Sequence, residues 1–157
     1  MTGHHLAQIN IGRLIGPLDD PRLAGFVALL EPVNALADSS DGFVWRYRSE
    51  GLPDATTERP FGPDLLLNFS VWESPDALWE FTYRSGHLDV LRRRRDWFAN
   101  LTEAYAALWW IPAGHIPTVA EAGERLRLLR ENGPTPAAFT FRDRFPAPGP
   151  TEATLSS

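Results

Sequence analysis

Cysteine is absent from this 157-residue chain, and methionine occurs once. The first absence excludes disulfides, thiolate metal sites and a Cys nucleophile, and it removes any need for an oxidising compartment. Long apolar runs are missing too. Nothing approaches the roughly 20 residues needed to span a bilayer, and no apolar stretch follows a basic N-terminal segment, so the expectation is a cytoplasmic protein with no membrane partner. An excess of positive charge is also lacking. The formal net charge is −5, which argues against a nucleic-acid partner. The run Arg92-Arg93-Arg94-Arg95 does not change this, because four consecutive helical side chains point around the axis instead of forming one patch.

What is present is an ordinary globular composition with 43% hydrophobic and 22% charged residues, enriched in aromatics that include six Trp. That length and composition suit one domain, expected over 1–145, followed by a disordered Pro-rich tail over 146–157. The stretch Leu65 to Trp72 is apolar at successive positions and reads as a strand covered on both faces. Ser74-Pro75-Asp76 then opens a helix running to Tyr83, with Ser74 as N-cap and Pro75 in the first turn. Ser85-Gly86 interrupts it, and His87 to Phe98 resumes helical spacing.

Earlier in the chain, His5 to Ile11 alternates as a strand with Gln8 and Asn10 on a polar side. Asp19-Asp20-Pro21 starts a helix whose apolar positions are Leu23, Phe26, Val27, Leu30 and Val33; at Pro32 it either kinks or stops short, or continues through Ala35, Leu36 and Ala37. Gly42 to Arg48 alternates as a second strand, with Phe43, Trp45 and Tyr47 on one side. Ser49 to Pro63 carries two Gly and three Pro without periodicity and reads as a long surface loop. Ala104 to Ile111 is a further strand apolar on both faces. Thr118-Val119-Ala120-Glu121 is a capping-box signature for a helix that turns Ala122, Leu126 and Leu129 inward and stops at Asn132-Gly133-Pro134. Ala137 to Arg142 adds a short last strand.

The order β-α-β-β-α-(α)-β with a C-terminal helix predicts an α+β, ferredoxin-like fold. Helices cover one face of such a sheet. Because two strands are apolar on both faces, the other face needs a partner, and a second copy packed across a two-fold axis gives a dimeric α/β barrel.

The stretches HLAQINIGRL, GFVWRYR, LLLNFSVWESPDALWEFTYRSGHLDVLRRRRDWF and LWWIPAGHIPTVAEAGERLRLLRENGPTPAAFTF together resemble a little-characterised bacterial family of the dimeric α/β-barrel superfamily. The middle stretch also looks like the spheroidene monooxygenases, which are haem-associated, and more loosely like the antibiotic-biosynthesis monooxygenases, which oxidise polycyclic phenols, often without a cofactor. The resemblance implies the fold and a homodimer. A shared barrel does not transfer chemistry, because the superfamily hosts several reactions. In the haem-bearing relatives a helix histidine matches His87, so the resemblance makes His87 the axial-ligand candidate, with haem as the candidate cofactor.

Read from chemistry alone, His87 can also serve as a general base, or simply pack beside Trp97. Arg94, at i+7 from His87, can meet a propionate or an anionic substrate group through two N–H donors, or form a structural ion pair. Asn68 and Ser70 sit among apolar neighbours and, with Gln8 and Asn10, must find hydrogen-bond partners, either in one another or in a substrate. Asn68 joins His87 as a catalytic candidate. Trp45, Trp72 and Tyr83 complete a candidate pocket for a flat ligand, although large aromatics are first of all core material. The leading functional expectation is a monooxygenase-like enzyme acting on a hydrophobic aromatic or polyene small molecule. The competing one is a non-catalytic ligand-binding or dimeric assembly protein.

Overall fold

The computed structural model describes residues 3–17, 19–47, 65–84, 94–99 and 105–148. Its centre is β1 (His4–Leu14), which pairs antiparallel with β3 (Leu65–Trp72) from Leu6↔Trp72 to Arg13↔Leu65. On its other side β1 pairs with β5 (Ala106–Pro112) from His4↔Pro112 to Asn10↔Ala106. The short β4 (Phe98–Ala99) continues that side at Arg13↔Ala99 and Leu14↔Phe98. β2 (Phe43–Arg46) adds to the outer edge of β3. All pairings are antiparallel, and the spatial order β2-β3-β1 followed by β4 and β5 is that of a ferredoxin-like α+β sheet. Among the described residues the three longer helices are α1 (Ala24–Asp38), α2 (Pro75–Arg84) and α3 (Val119–Asn132).

Local chemistry sets most boundaries. Ser74 Oγ accepts the Ala77 N–H at 3.1 Å and so starts α2. Thr118 Oγ1 accepts the Glu121 N–H at 3.0 Å and starts α3, which ends where Gly133 takes a φ of 72° and returns its N–H to Leu129. That left-handed backbone suits a residue without a Cβ. Asp20 caps a 3-10 turn, Pro21–Leu23, that precedes α1. Leu23, Phe26 and Ala37 are buried whereas Val27, expected inward, is 41% exposed, because the buried stripe of α1 runs through Phe26 and the next residue points about 100° away from it. Pro32 does not end α1. Pro32 and Ala28 are both exposed, so the carbonyl that loses its bond lies on the water side of the helix.

Three expectations are corrected. The second strand does not keep Phe43 and Trp45 on one side: a bulge between them shifts the alternation, so Phe43 packs on Trp72 and Trp45 on Phe69. Phe98 is not helical. After the single helical turn Arg94–Trp97 it enters β4, where its ring lies so close over Gly12 that a Cβ there would sit 2.6 Å from it. Residues 137–142 form no full strand; Phe139 makes one isolated bridge, exchanging two 2.8 Å bonds with Leu108. The loop 49–63 and the tail from 149 onward lie outside the described residues.

The two sheet faces are closed differently. One carries Ala7, Ile9, Leu67, Phe69, Ala107 and Trp109, all buried beneath Ala122, Leu126 and Leu129 of α3. Thus the apolar face that the sequence left to a second copy is packed against the chain's own C-terminal helix. The opposite face meets α1 and α2 at two separate apolar clusters, one around Leu6, Trp72 and Leu78 and one around Leu14, Leu23, Phe26 and Trp97.

Candidate functional site

The alternation of β1 puts Leu6, Gln8, Asn10, Gly12 and Leu14 on the face toward α1 and α2, and the register sets Trp72, Ser70, Asn68 and Leu66 against the first four. The ends of both rows are apolar and belong to the two clusters. Their middle is not. Gln8 Nε2 donates to Asn68 Oδ1 at 2.7 Å and to Ser70 Oγ at 2.7 Å, and the Trp72 indole N–H donates to the same Ser70 Oγ at 2.9 Å. Gln8 and Ser70 are each 7% exposed. Asn68, Asn10 and Ala106, which lie side by side across β3, β1 and β5, are exposed, half-buried and exposed respectively. A polar strip therefore runs between two apolar clusters and reaches solvent at the centre of the sheet.

Burial obliges these groups to bond one another, because an unpaired buried amide or hydroxyl costs about 1–3 kcal/mol. Arg46 extends the strip. It pairs with Ser70 across β2 and β3, and its Nε donates at 2.7 Å to Asp38, the last residue of α1. The arrangement can orient a ligand's oxygen by neutral hydrogen bonds and hold its apolar body against aromatic walls. Its four central residues, Gln8, Asn10, Asn68 and Ser70, carry no charge and supply no acid–base pair.

Of the residues singled out from sequence, Gln8, Asn10, Asn68, Ser70 and Trp72 come together here. Trp72 is 1% exposed, stacks on Phe81 at 5.1 Å and meets Phe43 edge-on, so it contributes core as well as a hydrogen bond. Trp45 lies on the opposite face with Tyr47 and Phe69. Tyr83, 38% exposed, packs against Trp79 at 4.3 Å and near Phe141, apart from the strip. His87 and the side chain of Arg94 lie outside the described residues. Among the described residues no three His, Cys, Asp or Glu side chains gather to hold a metal ion, and no described helix is long and apolar enough to cross a membrane.

A second polar cluster was not foreseen. Glu121 reads in sequence as the returning arm of a capping box, but its Oε2 accepts from the fully buried Trp109 indole at 3.0 Å and its Oε1 faces His115 Nε2 at 2.8 Å. Burial opposes ionisation of Glu121; the bonds from His115 and Trp109, with the charges of His115 and Arg125, outweigh it and hold the carboxyl below its ordinary value. No spacing rule marks this cluster, since the β5 register alone turns Trp109 toward α3.

Residues 5–155 match the model of a family described as a domain of unknown function, DUF3291. The chain belongs to that family. No curated protein matches it. Among solved structures, SnoaB, a cofactor-independent oxygenase from Streptomyces nogalater, is 14% identical over 74% of this chain and 98% of its own, with a TM-score of 0.45. NE2512, a protein of unknown function from Nitrosomonas europaea, is 14% identical over 73% of this chain and 96% of its own, also at 0.45. PA3566 from Pseudomonas aeruginosa is 13% identical over 73% and 97%, at 0.39. Likenesses this distant carry no conclusion about chemistry, and the family description assigns none.

Proposed function

We propose that the chain binds a flat, hydrophobic small molecule against the strip between the two apolar clusters and oxidises it with molecular oxygen. The observation that carries this reading is the Gln8–Asn68–Ser70–Trp72 network, a set of oriented polar groups held between aromatic walls and open to solvent at Asn68. Sites of this kind, mostly apolar with a few convergent polar groups, are where small ligands bind. With neutral groups at its centre, the strip suits a substrate that supplies its own electrons. An activated methylene plus O2 gives a carbonyl plus water, which balances without an external reductant. Asn68 would steady the oxygen on which charge develops once the methylene passes its proton to solvent water at the open end of the strip, a proton that is regained by the peroxide oxygen leaving as water. Oxygen uptake with anthrone, a polycyclic ketone bearing such a methylene, tests the reading: uptake above the uncatalysed rate, lost in Asn68→Ala with unchanged circular dichroism, is the expected result.

The neutrality of Gln8, Asn10, Asn68 and Ser70 favours a second reading, a ligand-binding protein without turnover. Binding of anthrone with no oxygen uptake above background would select it. A homodimer belongs to the same proposal, joined through a surface other than the face that α3 covers. Sedimentation velocity over a range of concentrations tests that part.

A further inference from the structure

Hydrogen-bond accounting within the strip narrows what it can hold. A glutamine amide nitrogen has two hydrogens, and those of Gln8 go to Asn68 Oδ1 and to Ser70 Oγ. Ser70 Oγ also takes the Trp72 indole hydrogen, so both of its lone pairs are engaged. Asn68 is thereby held with its carbonyl oxygen turned inward to Gln8. Its Nδ2, the other end of the same planar amide, is turned away from Gln8 on a residue that is exposed. The indole N–H can only donate, which fixes the sense of the chain at one end.

The geometry points to Gln8 as the positioning residue that sets the polarity of this site: by consuming both of its own donors inward, it presents the Asn68 amide N–H outward and makes the strip selective for a ligand oxygen that accepts, a carbonyl or an oxyanion, over one that only donates. This inference rests on the strip being a ligand site and adds the chemical class of the oxygen it takes. Gln8 itself acts through Asn68.

Three probes of one shape separate the cases: 9-fluorenone, whose carbonyl only accepts; 9-fluorenol, whose hydroxyl donates and accepts; and fluorene, which does neither. Affinities are read by equilibrium dialysis on the full chain. Wild type should bind 9-fluorenone about five- to tenfold more tightly than fluorene, the ratio one net hydrogen bond supplies, and 9-fluorenol, whose hydroxyl also accepts, should bind more tightly than fluorene as well. In Gln8→Glu the carboxylate can only accept, so Asn68 turns its Nδ2 inward and its oxygen outward, and the preference should pass to 9-fluorenol while fluorene affinity stays within about twofold. Gln8→Met, neutral and of similar length, covers the case in which the buried carboxylate unfolds the chain. It should drop the fluorenone-to-fluorene ratio to about one, with fluorene again unmoved, a change in ratio that a merely structural role would not produce.

Equal wild-type binding of fluorene and 9-fluorenone, or a preference for 9-fluorenone that persists in folded Gln8→Glu, overturns the polarity and leaves the ligand-site reading standing. An unchanged ratio in Gln8→Met overturns the role of Gln8. Binding of none of the three probes overturns the ligand site and the inference together.

Discussion

The two faces of one sheet, built from the same strands in alternating positions, have opposite designs. Toward α3 the face is apolar from Ala7 and Ile9 across to Ala107 and Trp109, and it is sealed by Leu126 and Leu129. Toward α1 and α2 the apolar contacts divide into two clusters, and the positions between them are Gln8, Asn10, Asn68 and Ser70. The first face spends all its surface on burial, which is the main favourable term in folding. The second gives up burial at its centre for oriented hydrogen bonds, which stabilise little in net terms but discriminate strongly between ligands. Stability should therefore reside mainly on the α3 side and ligand recognition on the other.

The largest expected effect is on the sealed face. Leu126 is 2% exposed, and Leu126→Ala should cost about 2–5 kcal/mol through lost burial and the cavity left behind, read as a lowered urea midpoint. A loss well under 1 kcal/mol would mean that α3 does not close that face. Next comes the tight contact at the edge of the other face. Gly12→Ala puts a Cβ 2.6 Å from the Phe98 ring and should cost about 1–3 kcal/mol by overpacking. Combined with Phe98→Ala, most of that cost should disappear in a double-mutant cycle, because the clash partner is gone.

Asn68→Ala sharpens the comparison from the other direction. Asn68 is exposed and shares only one bond with Gln8; water can take its place on the Gln8 N–H, so stability should fall by about 1 kcal/mol or less, while 9-fluorenone affinity drops about five- to tenfold, to that of fluorene. A large fall in the urea midpoint would show that the strip is structural first.

The smallest effect concerns acid. Glu121 has a carboxyl held below its ordinary value of 4.5, burial being outweighed by the His115 and Trp109 bonds. A depressed folded-state pKa contributes stability that is complete above the unfolded value and is lost as the pH falls through the folded one. Wild type should thus lose stability more steeply than Glu121→Gln as the pH drops below 4.5, with the two curves parallel above it. Parallel curves on both sides would mean that the Trp109–Glu121–His115 cluster gives no pH-dependent support to α3.

Much of the architecture was legible because local signals fix it. Leu65 to Trp72 occupies β3 as read, since a run of apolar residues without Gly or Pro has to be covered on both sides. Thr118 and Gly133 bracket α3 because one supplies an acceptor for an orphan N–H and the other a left-handed turn. The polar side of β1 was visible as Gln8 and Asn10, and Asn68 and Ser70 stood out among Leu and Phe. Other features were not legible. The alternation Phe43, Trp45, Tyr47 looked like one face, and a bulge, which no residue type announces here, sent Phe43 to the other. The capping-box pattern was satisfied in its Thr118 half only, because Trp109 brought a stronger claim on the Glu121 carboxylate than a solvated backbone N–H could.

The sequence by itself determined which segments become strands and helices, since periodicity, caps and turn residues act over a few neighbouring positions. It also determined that the strands would need cover on both faces. Only the tertiary structure decided what covers them and which polar groups meet. Gln8 and Asn68 are sixty residues apart in the chain, and α3 reaches its face from beyond the last strand. Such pairings depend on strand register and on the path of the chain, which are properties of the whole fold and not of any local stretch.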